Sequence, residues 1–428
     1  MQAVILAAGS SSRFRPLSDN RHKSLFQVAG DSLIGHTIST LEETPVTSCI
    51  IVQGEQRQIE EEIDEDDRDL DIEFVVQKDP QGMGHALEQC RDRLEDAFIV
   101  MNPYRLKADA YLPYMIERYE QNDVSGVLLG RTTSDPQDYG VMAIDDDDTV
   151  TEIVEKPAEG EEPSNIRVIG IYLLEPSIFE HRDKVPDHEY DFEAALDRYV
   201  DSNDVAAVTT NTKTVSIKYP WDLFSVASYL TRNQPPKAIG DDVEIADSAT
   251  IIGPVVIEDG TTIYENAVIR GPCYIGHNCT IGNNCLIRSG SSLADEVVIG
   301  ANSEIRGSII EEKTHVHDAF IGDTIIGKNT RIGAGTVFAN RSTRNEQGGR
   351  DEITVTLPRD GTEQNTARHR LGGIVGDTVD IGTQANIMPG VMIGSGSTVG
   401  PSTCLLNNVD RNTKIYTRFE YTKRDLDG

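Results

Sequence analysis

The chain has 428 residues, 71 Asp and Glu against 39 Lys and Arg, a formal net charge of −32 and 38% apolar residues. That length calls for two or three domains, and so acidic a surface repels phosphate backbones, which argues against nucleic acid as a partner. No run approaches the roughly 18 apolar residues of a membrane span, so no membrane partner is expected. Arg outnumbers Lys 27 to 12, and an acid-rich, Lys-poor, halophilic composition suits a salt-loaded cytoplasm, where dissolved ions screen the self-repulsion.

The opening MQAVILAAG has no basic leader and only a short apolar run, so a first strand is expected at 3–8 and not a signal peptide. Further strands are predicted at 49–53, 72–77, 98–101 and 124–129, with helices between them at 32–43, 56–66, 85–94 and 109–121. Such alternation points to a doubly wound α/β sheet with mostly parallel strands. Asn233-Gln234-Pro235-Pro236 ends it, because consecutive prolines stop a helix and stiffen a connection. The expected division is an α/β domain at 1–232, a linker at 233–240 and a second domain at 241–420.

In that second domain large aliphatics fall six residues apart without a break from Ile245 through Ile257, Ile269 and Ile281 to Ile305. At a 38% apolar frequency, eleven such positions in a row have a chance of about 2 in 100,000, so this is a hexapeptide β-helix signature. Small residues such as Ala267, Cys273, Cys279, Cys285 and Ser291 stand four positions after each aliphatic, where a prism corner must turn. Successive hexapeptides lie on different faces, so the three cysteines are expected to pack and not to converge on a metal. Cys49, Cys90 and Cys404 are scattered, and no disulfide framework is expected. The register slips near Glu311, resumes at Ile326 and Ile332, and returns at Ile381, Ile387 and Ile393 after a polar stretch at 341–370. That stretch is either a functional excursion or disordered.

LAAGSSSRFRPLSDNRHK, from Leu6 to Lys23, follows the first strand directly. Small residues there let backbone N–H groups approach a triphosphate, and Arg13 and Lys23 can neutralise charge on phosphoryl oxygens. With Gly9, Arg13, Pro16, Leu17, Ser18 and Lys23 in place, the chain resembles the sugar-1-phosphate nucleotidylyltransferases, and most closely archaeal bifunctional enzymes that add a left-handed β-helical acetyltransferase domain. Ser11 replaces the family's second loop glycine and His22 a proline. The resemblance implies nucleotide contacts at Leu6, Ala8, Gly9, Ser11, Gln77 and Gly82, with Arg13 and Lys23 as catalytic cations. Tyr139-Gly140-Val141, Glu155-Lys156-Pro157 and Asn165 resemble the elements lining the sugar-phosphate pocket, where Gly140 admits the sugar and Glu155 and Asn165 bond its hydroxyls.

The same resemblance implies Mg²⁺ held by two Asp, yet Tyr104 and Ser216 stand at those places; Asp222 and Asp109 are the candidates for a displaced ligand. In the second domain, His317 with Gly322-Asp323 and Gly333-Ala334-Gly335-Thr336 looks like the acetyltransferase core. It implies His317 as general base, Arg288, Arg306 and Asn340 as sugar-phosphate ligands, Ala334 at acetyl-coenzyme A, and a homotrimer with sites between neighbouring prisms. The expected function is nucleotide-sugar biosynthesis in the cytoplasm from nucleoside triphosphate and sugar-1-phosphate, with acetyl-coenzyme A as co-substrate and nucleotidyl transfer weakened. Two alternatives stand beside it: a non-catalytic scaffold with a degenerate transferase site, and a nucleotidylyltransferase whose β-helix serves only oligomerisation.

Overall fold

A computed structural model of the chain describes residues 1–63, 68–121, 123–186, 188, 190–211, 217–345, 348–420 and 422–424. The chain forms two compact units, one of residues 1–10 and 32–216 and the other of 11–31 and 217–428. Among the described residues no helix is long and apolar enough to cross a membrane.

The first unit is built on a twisted sheet in which Gln2–Leu6 is flanked by Ser48–Gly54 and Phe98–Met101, both parallel to it. Asp71–Gln77 closes one side, while Ile166–Leu174, Gly126–Thr132 and Val205–Thr209 extend the other. Ile166–Leu174 runs antiparallel to both neighbours. The central strands are apolar over most of their length because both faces are covered: Ala3, Val4, Ile5, Ile50, Ile51, Ile99 and Val100 are fully buried. Helix Leu33–Glu42 starts where Ser32 Oγ accepts a hydrogen bond from the Gly35 N–H at 3.0 Å. The expected helix at 85–94 is shorter in the structure, Met83–Glu88 followed by a separate turn at Arg91–Arg93. The one expected at 56–66 is Gln58–Glu62, with residues 64–66 outside the described set. Carboxyl ends at Leu6, Gln77 and Met101 lie on one edge, where sheets of this type bind ligands.

The second unit is a left-handed parallel β-helix of three stacked sheets. Each coil spends 18 residues on three faces, as Thr262, Thr280 and Val298 show by pairing in sequence. The aliphatic column forms one continuous core from Ile257 to Leu405, with Ile245 and Ile251 packed on its end. Corners are turned by left-handed residues, commonly Asn: Asn266, Asn278, Asn284 and Asn302 all have positive φ. Asn tolerates that region better than other residues with a Cβ. Near residue 307 the corners move closer, to Gly307, Asp318 and Asp323. The core then takes Ile310, Val316, Ile321 and Ile326, so some repeats shrink from six residues to five. This is the cause of the register slip.

One expectation is corrected here and another is narrowed. Residues 233–240 are not wholly a linker, because Lys237–Ile239 pairs with Val255–Ile257 as the first strand of a prism face. The described part of 341–370 contains an antiparallel hairpin, Thr354–Thr356 with Glu363–Asn365. Its Ile353, Val355 and Leu357 are buried, Asn408 Nδ2 donates to Thr356 O at 2.7 Å, and the Tyr219 hydroxyl donates to Gln364 Oε1 at 2.9 Å. Cys273, Cys279 and Cys285 are buried members of the prism core, and burial pushes each thiol above its ordinary range.

Candidate functional site

In the first unit Leu6 is buried at the end of its strand, Ala8 is half-buried, and Gly9 is exposed with open space where a Cβ would stand. Gln77 is only 2% exposed, and its Nε2 lies 2.7 Å from His85 Nδ1. The following loop is fastened by a buried ion pair. Asp191 accepts from the Gly84 N–H at 3.0 Å, and Arg182 Nη2 lies 3.0 Å from its other oxygen. Gly82 has φ +135°, and a Cβ there would stand 3.0 Å from Asp191 Oδ1, so only glycine fits.

Gly140 and Glu155 face each other across paired strands, and a Cβ on Gly140 would lie 2.6 Å from Glu155 Oε2. Burial pushes the Glu155 carboxyl up, opposed by the Lys156 cation. Burial also pushes Glu193 up to about 7, with Glu155 and Asp191 adding repulsion. Lys156 Nζ donates to the Tyr190 hydroxyl at 3.1 Å. The Asn165 side chain is exposed and its carbonyl accepts from Thr133 N at 2.8 Å. Gly140, Glu155 and Glu193 thus lie together, with Glu193 a member that the sequence motifs do not mark.

After Met101 the chain runs Asn102-Pro103-Tyr104-Arg105. Arg105 lies over the Tyr104 ring at 6.0 Å from its centroid. Mg²⁺ takes oxygen ligands and prefers carboxylates, and a phenol beside a guanidinium is a poor donor set for it. Ser216 lies outside the described residues. Asp222 Oδ2 accepts from the N–H groups of Lys218 and Tyr219, both at 2.7 Å, so its carboxylate is engaged in holding the turn that starts helix Leu223–Asn233. Among the described residues no group of three His, Cys, Asp or Glu could hold a metal ion. Among the described residues, neither Tyr104 beside Arg105 nor the engaged Asp222 carboxylate is a donor set that fits Mg²⁺.

The later half of the phosphate-type loop belongs to the second unit. Ser11 takes a left-handed conformation, φ 52°, which explains why a glycine suits this position. Its Oγ accepts from Lys23 N at 3.3 Å, its carbonyl accepts from Ser18 Oγ at 2.8 Å, and Lys23 Nζ donates to Ile217 O at 3.1 Å. Exposed Arg13 opens on a cavity of about 130 Å³ that also meets Tyr219, Arg359, Asp360 and Gln364. Arg359 comes from the hairpin of the polar excursion, so that excursion adds a second cation beside Arg13.

On the prism, His317 follows core residue Val316 at a corner. Gly300 and Gly333 occupy the same corner on adjoining coils, as the hydrogen bonds Gly300 N to Val316 O and His317 N to Ile332 O show. A Cβ on Gly300 would stand 2.9 Å from Val316 O and 3.2 Å from His317 Cα, so this corner is closely packed and His317 interrupts a glycine column. Its imidazole is exposed. Ala334 follows Gly333 on the next coil, and its carbonyl accepts from Gln384 N at 2.8 Å.

Arg288 and Arg306 are register partners at the next corner, and Arg306 is in turn level with Gly322. Arg288 Nη1 donates to Glu304 Oε1 at 2.8 Å. Asn340 Nδ2 donates to Asp323 Oδ2 at 2.5 Å, and a Cβ on Gly322 would meet Asn340 Nδ2 at 2.6 Å. Burial pushes Asp323 up, opposed by Asn340, Arg368, Arg341 and Arg288. Arg270 holds the equivalent position one coil below Arg288, since Ile269 pairs with Ile287; six-residue counting from Arg288 would have found it. The structure brings Arg288, Arg306 and Asn340 together. It sets His317 five residues before Gly322, on the other side of the corner turned at Asp318.

Residues 2–234 match the family model described as nucleotidyl transferase, and residues 269–355 match the GMPPB C-terminal domain. The chain is 36% identical over 424 residues to "Bifunctional protein GlmU" of Methanococcus maripaludis (strain C7), covering 98% of each. It is 33% identical over 428 residues to the protein of that name from Methanococcus vannielii, again covering 98% of each. A "Bifunctional sugar-1-phosphate nucleotidylyltransferase/acetyltransferase" of Sulfurisphaera tokodaii is 28% identical over 96% of this chain and 98% of that one. With motifs, fold and near full-length relatives in agreement, this chain belongs to the nucleotidyl transferase family, in the two-domain form of the archaeal bifunctional GlmU proteins.

Proposed function

We propose that this chain is a cytoplasmic transferase of nucleotide-sugar biosynthesis whose prism acetylates a hexosamine-1-phosphate. The observation that carries this reading is the pairing of an exposed imidazole in a glycine column with a register-matched arginine row and Asn340 across the corner turned at Asp318. A phosphate suits Arg288 and Arg306, and Asn340 suits a sugar hydroxyl. The amino nitrogen attacks the thioester carbon of acetyl-coenzyme A, His317 accepts the proton that the nitrogen loses, and the thiolate departs and is protonated. Ala334, beside His317 on the next coil, borders the acyl-coenzyme A path. The separation of His317 from the arginine row favours a site completed between neighbouring prisms, and hence a homotrimer.

In the first unit, Leu6, Ala8, Gly9, Gln77 and Gly82 are assigned to the nucleotide and Gly140, Glu155 and Asn165 to the sugar phosphate. Ser11, Arg13 and Lys23 are assigned to the triphosphate. Nucleotidyl transfer that depends on Mg²⁺ is weakened, because Tyr104 offers no carboxylate. The acid surface suits high salt, where its repulsion is screened. The decisive experiment follows coenzyme A release from acetyl-coenzyme A with glucosamine-1-phosphate at high salt, and pyrophosphate release from UTP or dTTP with glucose-1-phosphate, on one preparation. Coenzyme A release that disappears in His317→Ala supports the reading. Absence of release in the wild type, or equal release in the variant, rejects it in favour of an oligomerisation scaffold.

A further inference from the structure

The first unit holds a cation, Arg105, that no carboxylate answers among the described residues. Among the described residues no carboxylate lies within ion-pair distance of Arg105, and its Nε is buried without a hydrogen-bond partner. Its electrostatic neighbours are the phenols Tyr104, Tyr172 and Tyr111 and a second cation, Arg167, and burial pushes the guanidinium below its ordinary range. Arg167 itself lies on the Tyr139 ring, 4.4 Å from the centroid. In a chain with 71 acidic residues, a half-buried guanidinium whose Nε is buried and unbonded, with no carboxylate beside it among the described residues, is a costly arrangement unless a ligand supplies the counter-charge.

The surroundings say where such a ligand would sit. Arg105 follows the strand Phe98–Met101, at the carboxyl edge of the sheet. Gly170, on the antiparallel neighbour, leaves room for it: a Cβ there would lie 2.5 Å from Arg105 Nη2 and 3.1 Å from Asn102 Nδ2. Two N–H-bearing groups therefore converge over one glycine. Tyr172 links this point to the carboxylates Glu193 and Glu155, since it senses both Arg105 and that pair.

We propose that Arg105, with Asn102 over Gly170, is a phosphoryl-oxyanion site that binds without a divalent cation. A guanidinium presents several N–H donors in a planar fork that matches phosphate oxygens. It also supplies positive charge at the place where Tyr104 withholds a metal-binding carboxylate. This inference rests on the reading of the first unit as the nucleotide-sugar half, and it names the group that holds the phosphate there. The phosphate source is either the sugar-1-phosphate or the pyrophosphoryl end of the nucleotide.

Isothermal titration of the full chain in EDTA at high salt separates these, with glucose-1-phosphate in one arm and inorganic pyrophosphate in the other. At least one probe is expected to bind to the wild type, about 10- to 100-fold more weakly to Arg105→Gln, and with partial recovery in Arg105→Lys. Thermal unfolding guards against a merely damaged fold. Without phosphate, Arg105→Gln should melt no lower than the wild type, since it removes an unpaired buried charge, while the phosphate-induced rise in Tm should vanish. Tyr104→Asp gives a carboxylate to Arg105 and should weaken the same binding. Equal binding by wild type and Arg105→Gln overturns the proposal, and so does binding that appears only when Mg²⁺ is added. Arg105-dependent binding with no transfer of either kind keeps the oxyanion site and rejects the enzymatic reading.

Discussion

Arg288 on the prism and Arg105 in the α/β unit are both partly buried guanidiniums, yet their settings differ in kind. Arg288 has 42% of its side chain exposed and pairs with Glu304 across adjoining coils at 2.8 Å. Arg105 lies among phenols, with no carboxylate in reach among the described residues. The difference follows from how each unit is made. A β-helix fills its interior with one aliphatic in six, so polar chemistry stands outside, aligned by coil register and open to water. A doubly wound sheet places chemistry on loops beyond its strand ends, where neighbouring loops dry it and its charges feel one another. Side chains on the prism should therefore be removable at little cost in stability, whereas those in the α/β pocket should couple stability to pH or ligand.

The largest test of that contrast is His317→Ala. Loss of a general base is expected to slow coenzyme A release by about 10²- to 10⁴-fold. The melting temperature should stay unchanged, because the imidazole is exposed. His315→Ala should retain activity, although it stands only two residues away. A variant that melts well below the wild type would show that the corner is structural and that the contrast is wrong.

Glu193 tests the other half. Burial pushes its carboxyl up to about 7 in the folded unit, from an ordinary 4.5 when unfolded. A raised acid pKa means that the folded state holds the proton more tightly. The associated stability is complete below about 4.5 and is lost as pH rises through about 7. The window is worth at most about 3 kcal/mol at 1.36 kcal/mol per pH unit. Glu193→Gln should flatten this part of the curve relative to wild type, as read by urea unfolding at fixed salt. Glu155, Asp191 and Lys156 also face the group, so the comparison must be made between the two curves and not from either alone.

A smaller effect is expected at Arg288. Its partner Glu304 is one-third exposed, so Arg288→Ala should alter stability by less than about 1 kcal/mol. The KM for the sugar phosphate should rise about tenfold, the worth of one charge-assisted hydrogen bond, with kcat little changed. A fall in kcat with constant KM would place Arg288 in the acetyl-transfer step and not in binding.

How legible each feature was in the sequence follows from the same physics. The prism core could be counted in sixes because every hexapeptide needs one inward aliphatic. The five-residue repeats near Ile310 and Ile321 escaped counting, since they are set by left-handed corners at Gly307, Asp318 and Asp323. His317 was marked by neighbouring motifs, but the glycine column that isolates it emerges only when coils are laid in register. Tyr104 announced by identity alone that a carboxylate was absent. Nothing in the sequence could show that Arg105 lacks a carboxylate partner among the described residues, because that depends on every element packed around it. The polar run at 341–370 read as either a functional excursion or disordered, since Arg359 and Gln364 bring no hydrophobic period, and its hairpin is tied down by a contact with distant Tyr219.

The smallest predicted effect lies at Ser11, where the contrast between the units can be sharpened. This residue belongs to the second unit but sits in a loop and not on a coil. A side chain at φ 52° costs roughly 1 kcal/mol relative to glycine, whereas glycine loses more chain entropy on folding. The Ser11 hydroxyl recovers little, since its bond from Lys23 N is long at 3.3 Å, while the bond from Ser18 Oγ goes to the Ser11 carbonyl and survives substitution. Ser11→Gly should therefore stabilise the chain by a few tenths of a kcal/mol and at most about 1 kcal/mol. If the variant is instead less stable by more than about 1 kcal/mol, the hydroxyl is holding Lys23 in place, and this loop then couples stability to its side chains in the way argued for the α/β pocket.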